Sequence, residues 1–150
     1  MQPSIQLKSI IPEEMAQFRQ MALDHFVAIN PSFVPTQEWE SNYIKSCLGR
    51  PNIYSRWIMS DTARAGFVIF LMERHPFVDR LQGIIREVYV KPEFRRQGIG
   101  RRSGQLMLEA MRQAGAKKIF VDIVSGDDRA RGLWKSIGFK AFLERLVLQE

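Results

Sequence analysis

The sequence is poor in cysteine and histidine. Of its 150 residues, only Cys47 is a cysteine and two are histidines. A single cysteine excludes an internal disulfide and suits a reducing compartment, so we expect a cytoplasmic protein. Zinc and related metals are held by clusters of these side chains, so we also expect no metal site.

Long apolar runs are missing as well. The longest, "FVIFLM" at 67–72, is far shorter than the roughly 20 residues that cross a bilayer. No basic and apolar leader follows Met1, which predicts neither export nor membrane attachment. The apolar share of 45% and the charged share of 25% are close to globular averages. A chain of this length buries a core of its own, so we expect residues 1–150 to form a single domain.

The composition shows an excess of positive charge. The 22 lysines and arginines outnumber the 16 aspartates and glutamates, which gives a formal net charge of +6. Nucleic acid, anionic lipid and a phosphorylated cofactor would each match this charge, and so would a basic surface that merely faces water. The sequence has no recognition-helix signature and no basic patch interleaved with aromatic residues. We therefore expect neither a nucleic-acid nor a membrane partner.

Apolar periodicity divides the chain into alternating strands and helices. Two helices, one opened by Pro12 and one N-capped by Thr36, follow the first strand. A third helix follows the fourth strand, and a fourth begins after Asp127. The resulting order βααβββαβαβ predicts one α/β domain. The predicted strands are 4–10, 53–59, 64–72, 84–90, 117–124 and 139–148.

A glycine-rich loop separates the fourth strand from the third helix. The stretch "YVKPEFRRQGIGRRSGQLMLEAM" (89–111) sets four cations around two glycines: Arg95, Arg96, Arg101 and Arg102 around Gly98 and Gly100. A helix start offers unpaired amide hydrogens and partial positive charge, and glycines let a ligand approach the backbone. Arginines add charge-assisted hydrogen bonds to phosphate. The pattern predicts a pyrophosphate-sized ligand, although a glycine turn before a solvated helix would give the same sequence.

Gly98, Gly100 and Gly104, with Asp122, are also close to the dinucleotide-binding fingerprint. Two features count against that interpretation. Seven residues separate Val90 from Gly98, and 46 follow Gly104. The fingerprint needs its glycines directly after the strand, and a doubly wound sheet needs a longer chain beyond them.

Two stretches resemble the GNAT superfamily of N-acetyltransferases. "VYVKPEFRRQGIG" is similar to the family's fourth strand and acetyl-CoA loop, with Arg95, Gly98 and Gly100 at the fixed places of its (Arg/Gln)-x-x-Gly-x-(Gly/Ala) pattern. "ARGLWKSIGF" (130–139) is similar to the family's closing helix, which usually reads Ala, three residues, Tyr, three residues, Gly-Phe. The resemblance is close over about residues 83–140.

The resemblance implies a single GNAT-like domain, with a mixed sheet of about six to seven strands flanked by about four helices. It implies transfer of an acetyl group from acetyl-CoA, with CoA as product, to a primary amine of a small molecule or a protein amino group, and it allows a homodimer. A CoA-binding module with little or no catalysis is the alternative. The implied cofactor contacts are Val88, Tyr89, Val90, Arg95, Arg96, Gln97, Gly98, Ile99, Gly100, Arg101, Asp127 and Trp134.

Glu87 stands where many family members carry the acid that binds or deprotonates the amine, so we predict it as the catalytic residue. Because strand side chains alternate, a shift of one residue or a bulge would present Arg86 instead. Trp134 replaces the family's common tyrosine, and its indole does not ionise usefully. The CoA thiolate that leaves in the reaction needs a proton. The remaining candidate donors are water and three tyrosines: Tyr43, Tyr54 and Tyr89.

The resemblance assigns acceptor specificity to Phe26–Tyr43 and His75–Leu81, stretches that mix aromatic residues with few acids. A polyamine or an aminoglycoside would favour a pocket lined by carboxylates. Four acids are available but scattered along the sequence: Asp24, Glu38, Glu40 and Asp79. His25 and His75 are candidate bases, although a lone histidine is more often a surface or capping residue.

Overall fold

The computed structural model describes residues 2–150, and this part of the chain forms five strands and four α-helices. The strands are β1 (Ile5–Ser9), β2 (Ile53–Ser60), β3 (Ala63–Arg74), β4 (Leu81–Val90) and β5 (Lys118–Val121). The helices are α1 (Met15–Ile29), α2 (Gln37–Gly49), α3 (Ile99–Gln113) and α4 (Asp128–Ile137). The α/β class and the four helices are confirmed, but the strands are fewer than the six to seven predicted.

The helix starts follow the predicted capping chemistry. Pro12 opens a short 3-10 turn ahead of α1. The Thr36 side chain accepts a hydrogen bond from the Trp39 amide at 3.0 Å, which caps α2 as predicted. No helix among residues 2–150 combines the length and the hydropathy needed to cross a membrane.

The five strands form one sheet in the order β1-β2-β3-β4-β5. The first three pairings are antiparallel, and β4 pairs with β5 in parallel. The sheet has a core on each face, because strand side chains alternate between faces. On one face α1 and α2 pack through Phe18 and Ile44 against Trp57 and Phe67. On the other, α3 and α4 cover a second cluster that includes Met107 and Trp134.

The predicted sixth strand, 139–148, is not formed. Within the described chain, no backbone hydrogen bond involves residues 140–150. Phe142 lies beside β5, with its ring centroid 5.2 Å from that of Phe120. The backbone of residues 140–150 nevertheless does not pair with β5. The composition of this segment favours a strand, but strand propensity measures how well side chains fit a pleated, half-buried surface. Here β5 offers only four residues as partner.

Candidate active site

The sheet opens between its two parallel strands. Their pairing runs only from Gln82 to Ile85 on β4, opposite Lys118–Val121. The Asp122 amide then donates to the Ile85 carbonyl at 3.3 Å, and the strands part. β4 stays paired with β3 as far as Val90, so residues 86–90 have a strand on one edge only. The backbone of this segment is therefore the edge that a ligand can approach.

The glycine loop lies at the end of this open edge. A 3-10 turn at Pro92–Phe94 leads to Arg96 and Gly98, whose φ angles of 63° and 74° are left-handed. The first hydrogen bond into α3 runs from the Arg102 amide to the Gly98 carbonyl, at 3.0 Å. Within residues 2–150, the amides of 96–101 find no acceptor. They form a run of free donors at the positive end of a helix, which suits a diphosphate.

Space at the loop also fits such a ligand. A Cβ placed on Gly98 would meet no atom within 4 Å, and one on Gly100 would lie 3.6 Å from the Leu133 side chain. The backbone of the loop is therefore open at these two positions rather than covered by the protein. Ile99 is 2% exposed and anchors the loop in the core, so only its backbone is available to a cofactor.

The four loop arginines differ in what they contact. Nε of Arg95 donates to the Val90 carbonyl at 2.8 Å, and Nη1 of Arg101 donates to Oγ of Ser136 on α4 at 2.6 Å. Arg102 lies 3.9 Å from a carboxylate oxygen of Glu109. Arg96 is exposed, and among residues 2–150 no acceptor or carboxylate pairs with its guanidinium. Arg96 could therefore bind an anion without breaking an existing hydrogen bond or ion pair.

Two predicted cofactor residues on the other side of the loop have clear structural roles. Trp134 is 5% exposed, and a Cβ on Gly104 would lie 2.8 Å from its ring. Gly104 therefore allows α3 and α4 to pack closely, which explains its position without a dinucleotide fingerprint. Oδ1 of Asp127 accepts the Ala130 amide at 3.0 Å and caps α4. Contact of Asp127 or Trp134 with the cofactor stays a prediction.

A β-bulge determines which way Glu87 points. Ile85 pairs with Phe70 and Glu87 with the preceding residue, Ile69, so Arg86 is the extra residue in β4. Ile85 lies in the core under α3. Without the bulge Glu87 would share that face, because alternate residues point the same way. With it, Glu87 faces α1 and α2, and Arg86 is exposed.

Glu87 belongs to a buried polar cluster. The Tyr43 hydroxyl donates to Oε2 of Glu87 at 2.6 Å, and Nε2 of His25 lies 3.8 Å from Oε1. Burial raises the pKa of Glu87, against smaller lowering effects of the Tyr43 hydrogen bond and the Arg86 charge. Burial, and then the Arg95 charge, lower the pKa of His25 to about 4. His25 is therefore neutral near pH 7, and its contact with Glu87 is not an ion pair.

Tyr43 and His25 enter the cluster from positions far along the chain. Burial, followed by the charge of Glu87, raises the pKa of Tyr43, so its hydroxyl stays protonated as a donor. No spacing in the sequence links Tyr43 or His25 to Glu87, because the helices bring them there. Of the other candidates, Tyr89 packs beside His25 with ring centroids 5.5 Å apart. Tyr54 stacks on Phe70 on the opposite face of the sheet, away from Glu87.

The remaining sequence candidates lie outside this cluster. Nδ1 of His75 accepts the amides of Phe77 and Val78 at 3.1 and 3.3 Å, which is the capping role common for a lone histidine. Cys47 is buried, and burial raises the pKa of its thiol to about 12. Within residues 2–150, no group of three or more His, Cys, Asp or Glu side chains is arranged to hold a metal ion.

The domain thus combines a sheet that opens between β4 and β5, an amide-lined glycine loop at the end of the open edge, and a buried carboxylate on that edge. The model of the acetyltransferase (GNAT) family matches residues 15–139, so the chain belongs to this family. Its cofactor is accordingly acetyl-CoA, which confirms the predicted family and cofactor. No curated protein matches the sequence significantly.

Solved structures share the fold over nearly the whole chain. A ribosomal-protein-alanine N-acetyltransferase from Brucella melitensis biovar Abortus 2308 is 16% identical with a TM-score of 0.79, over 98% of this chain and 99% of that one. An aminoglycoside acetyltransferase from an uncultured soil metagenomic sample, in complex with sisomicin, is 17% identical with a TM-score of 0.75, over 97% and 95%. An aminoglycoside N-acetyltransferase in complex with CoA is 13% identical with a TM-score of 0.75, over 100% and 97%.

Proposed function

We propose that this protein transfers the acetyl group of acetyl-CoA to a primary amine, of a small molecule or a protein, and that Glu87 is the base. The observation that carries the proposal is the position of the Glu87 carboxylate. Its side chain is 11% exposed, it lies on the segment of β4 that has one open edge, and burial raises its pKa. A raised pKa makes a carboxylate a stronger base near neutral pH.

When bound, acetyl-CoA supplies the acetyl group as a reactive thioester. The backbone groups of Val88 and Val90 would hold the pantetheine arm at the open edge. The side chains of Val88 and Val90 pack into the core, so this contact concerns main-chain groups alone. The amides of residues 96–101 would hold the diphosphate, with the Arg96 guanidinium beside them.

The cluster around Glu87 prepares the amine for attack. A primary amine is mostly protonated near neutral pH and must lose that proton to become a nucleophile. Tyr43 occupies Oε2 of Glu87, so Oε1 is the oxygen available to accept the proton. Neutral His25 beside Oε1 adds no positive charge that would weaken the base. Trp134 is buried and is not a proton donor.

The test is to mix the protein with acetyl-CoA and a panel of primary amines while following free thiol. Glu87→Gln should lower kcat by about 10²-fold or more and leave the calorimetric affinity for CoA unchanged. Glu73→Gln, an exposed glutamate on the neighbouring strand β3, is the matched control and should keep its rate. CoA binding without turnover for every amine would support the alternative, a CoA-binding module. Absence of heat with CoA would contradict the cofactor site.

We also propose that the chain forms a homodimer through residues 142–148, the C-terminal segment. Its large apolar side chains are 63–85% exposed: Phe142, Leu143, Leu146, Val147 and Leu148. Its backbone makes no hydrogen bond within the described chain, and β5 has a strand on one edge only. The C-terminal segment of one copy could therefore pair with the free edge of β5 in the other copy. Light scattering should give the wild type a molar mass of twice that of the chain. The double variant Leu146→Glu, Leu148→Glu should have the mass of a single chain. A monomeric wild type would contradict the proposal.

A further inference from the structure

The junction of α1 and α2 carries four aromatic rings, which we call the aromatic cluster. Its members are Phe26, Phe33, Trp39 and Tyr43, and their contacting ring centroids are 4.8–5.4 Å apart. All four side chains are only partly buried. The cluster therefore presents ring surface to solvent, unlike Trp57 and Phe67 in the core under α1 and α2, which are fully buried.

The aromatic cluster is continuous with the proposed base. Tyr43 belongs to both: its ring stacks on Trp39 at 5.1 Å, and its hydroxyl holds Oε2 of Glu87. Phe26 adjoins His25 with ring centroids 5.4 Å apart, and His25 lies beside Oε1 of Glu87. If the amine of an acceptor reached Glu87, the remainder of the acceptor would lie next to the rings of the aromatic cluster.

Charge around the aromatic cluster favours a single cation. Residues 26–43 contain no lysine or arginine, although the chain as a whole carries +6. Ring faces attract an ammonium group, and the stretch itself adds no lysine or arginine to oppose it. From outside the stretch, Arg19 is paired with Glu40 and Arg95 acts on His25. Two acids lie in the stretch, and Glu40 already bonds Arg19 at 2.8 Å. Glu38 remains in the stretch, and Asp24 acts on Tyr89 from outside it; these are fewer carboxylates than a polycation would require.

The same stretch of the chain also exposes apolar side chains. Val27, Ile29 and Val34 are 45%, 50% and 79% exposed. We infer that the acceptor is a small primary amine with one positive charge and an aromatic or similarly apolar group, which packs on the aromatic cluster while the amine meets Glu87. This inference rests on the proposed acetyl transfer and narrows its acceptor.

The closing experiment compares kcat/KM for 2-phenylethylamine, spermidine, sisomicin and a peptide that begins with alanine. We expect 2-phenylethylamine to exceed each of the others by roughly tenfold, the size of a cation–π contact together with apolar packing. Trp39→Ala should lower its kcat/KM by a similar factor, whereas Trp39→Phe, which keeps a ring, should stay near wild type. Phe142→Ala is the matched control, because it also removes an aromatic ring, at a 63% exposed position beside β5 and outside both acceptor stretches; it should leave kcat/KM for 2-phenylethylamine unchanged.

Tryptophan fluorescence gives a second readout that does not depend on turnover. Trp57 and Trp134 are 0% and 5% exposed, so Trp39 is the tryptophan that a bound amine can reach. With CoA present, 2-phenylethylamine should change the emission of the wild type and not that of Trp39→Phe. A purely structural role for the rings predicts no such change, and it predicts that Trp39→Ala loses stability without a selective effect on this amine.

The outcomes separate the two levels of the proposal. Preference for spermidine, sisomicin or the peptide would overturn the aromatic-amine assignment and leave the transfer reaction intact. Equal losses for all four acceptors in Trp39→Ala would overturn it too. Thiol release with none of the amines would overturn the transfer reaction itself.

Discussion

The Tyr43 hydroxyl donates a 2.6 Å hydrogen bond to Oε2 of Glu87, across 44 positions of the sequence. This bond joins α2 to the bulged strand β4 and fixes one carboxylate oxygen. It also lowers the pKa of Glu87 against the larger raising effect of burial. Tyr43 is thereby a positioning residue for the proposed base, and the relationship can be tested through pH.

Tyr43→Phe should move the acidic limb of the pH–rate profile to higher pH. Loss of the hydrogen bond removes an influence that lowers the pKa of Glu87, so a larger fraction of the carboxyl is protonated and inactive at a given acidic pH. The check is kcat/KM for one amine between pH 5 and pH 9, with the amine's own titration divided out. Tyr54→Phe, on the opposite face of the sheet, should leave the limb in place. An unmoved limb in Tyr43→Phe would contradict the positioning role.

Glu87→Gln should increase the stability of the fold at neutral pH while it removes activity. Burial raises the folded-state pKa of Glu87 above its ordinary value of 4.5. The protonated Glu87 carboxyl therefore contributes its full stability below pH 4.5. This contribution is lost as the pH rises through the pKa of the folded state. Urea unfolding should show the variant more stable than wild type at pH 8 and nearly equal to it at pH 4. A variant that is less stable at pH 8 would show that the carboxylate is structurally required.

His25 should make the fold sensitive to mild acid. Its folded pKa of about 4 lies below the ordinary 6.5, so between these values the unfolded chain takes up a proton that the folded chain does not. Wild type should lose roughly 3 kcal/mol from this group as the pH falls through that window. His25→Phe should show a correspondingly flatter stability curve in urea titrations. His75→Gln, in the β3–β4 loop, serves as control and should follow wild type.

Gly98→Ala should lose both CoA affinity and stability, whereas Gly104→Ala should lose stability alone. At Gly98 the φ of 74° costs an alanine about 1–2 kcal/mol, and the new methyl group enters the space proposed for the diphosphate. Gly104 has a helical backbone, but its Cβ would lie 2.8 Å from Trp134 and 2.9 Å from Ile137, which costs about 1–3 kcal/mol through overpacking. Calorimetry should show weaker CoA binding only for Gly98→Ala, although both variants melt earlier. Equal CoA affinity for the two would count against the loop assignment.

Arg96→Glu should weaken CoA binding by about tenfold or more, because it replaces a charge-assisted contact with repulsion. Its guanidinium has no partner within residues 2–150 to lose, so the melting temperature should stay unchanged. Lys45→Glu makes the same charge change on an exposed position of α2 and controls for net charge. If both variants lose affinity equally, the effect is long-range electrostatics rather than a contact at the loop.

The local elements and the glycine loop are predictable from the sequence because they depend on near neighbours. Thr36 caps the helix that follows it, and Gly98 directly precedes α3, as the glycine-loop pattern predicts. The predicted strand at 139–148 is wrong for the opposite reason. Its composition suits a strand, but a strand exists only with a partner, and residues 140–150 make no backbone hydrogen bond in the described chain.

What the sequence by itself determined is the family, the four helices and the first five strands, since each of these is encoded within a short stretch of residues. Tertiary structure alone decided that Glu87 rather than Arg86 faces α1 and α2, through the extra residue in β4. It also decided that Tyr43 and His25 meet that carboxylate. The physical reason is that burial and long-range hydrogen bonds, which set the pKa of Glu87, arise from packing between elements distant in sequence.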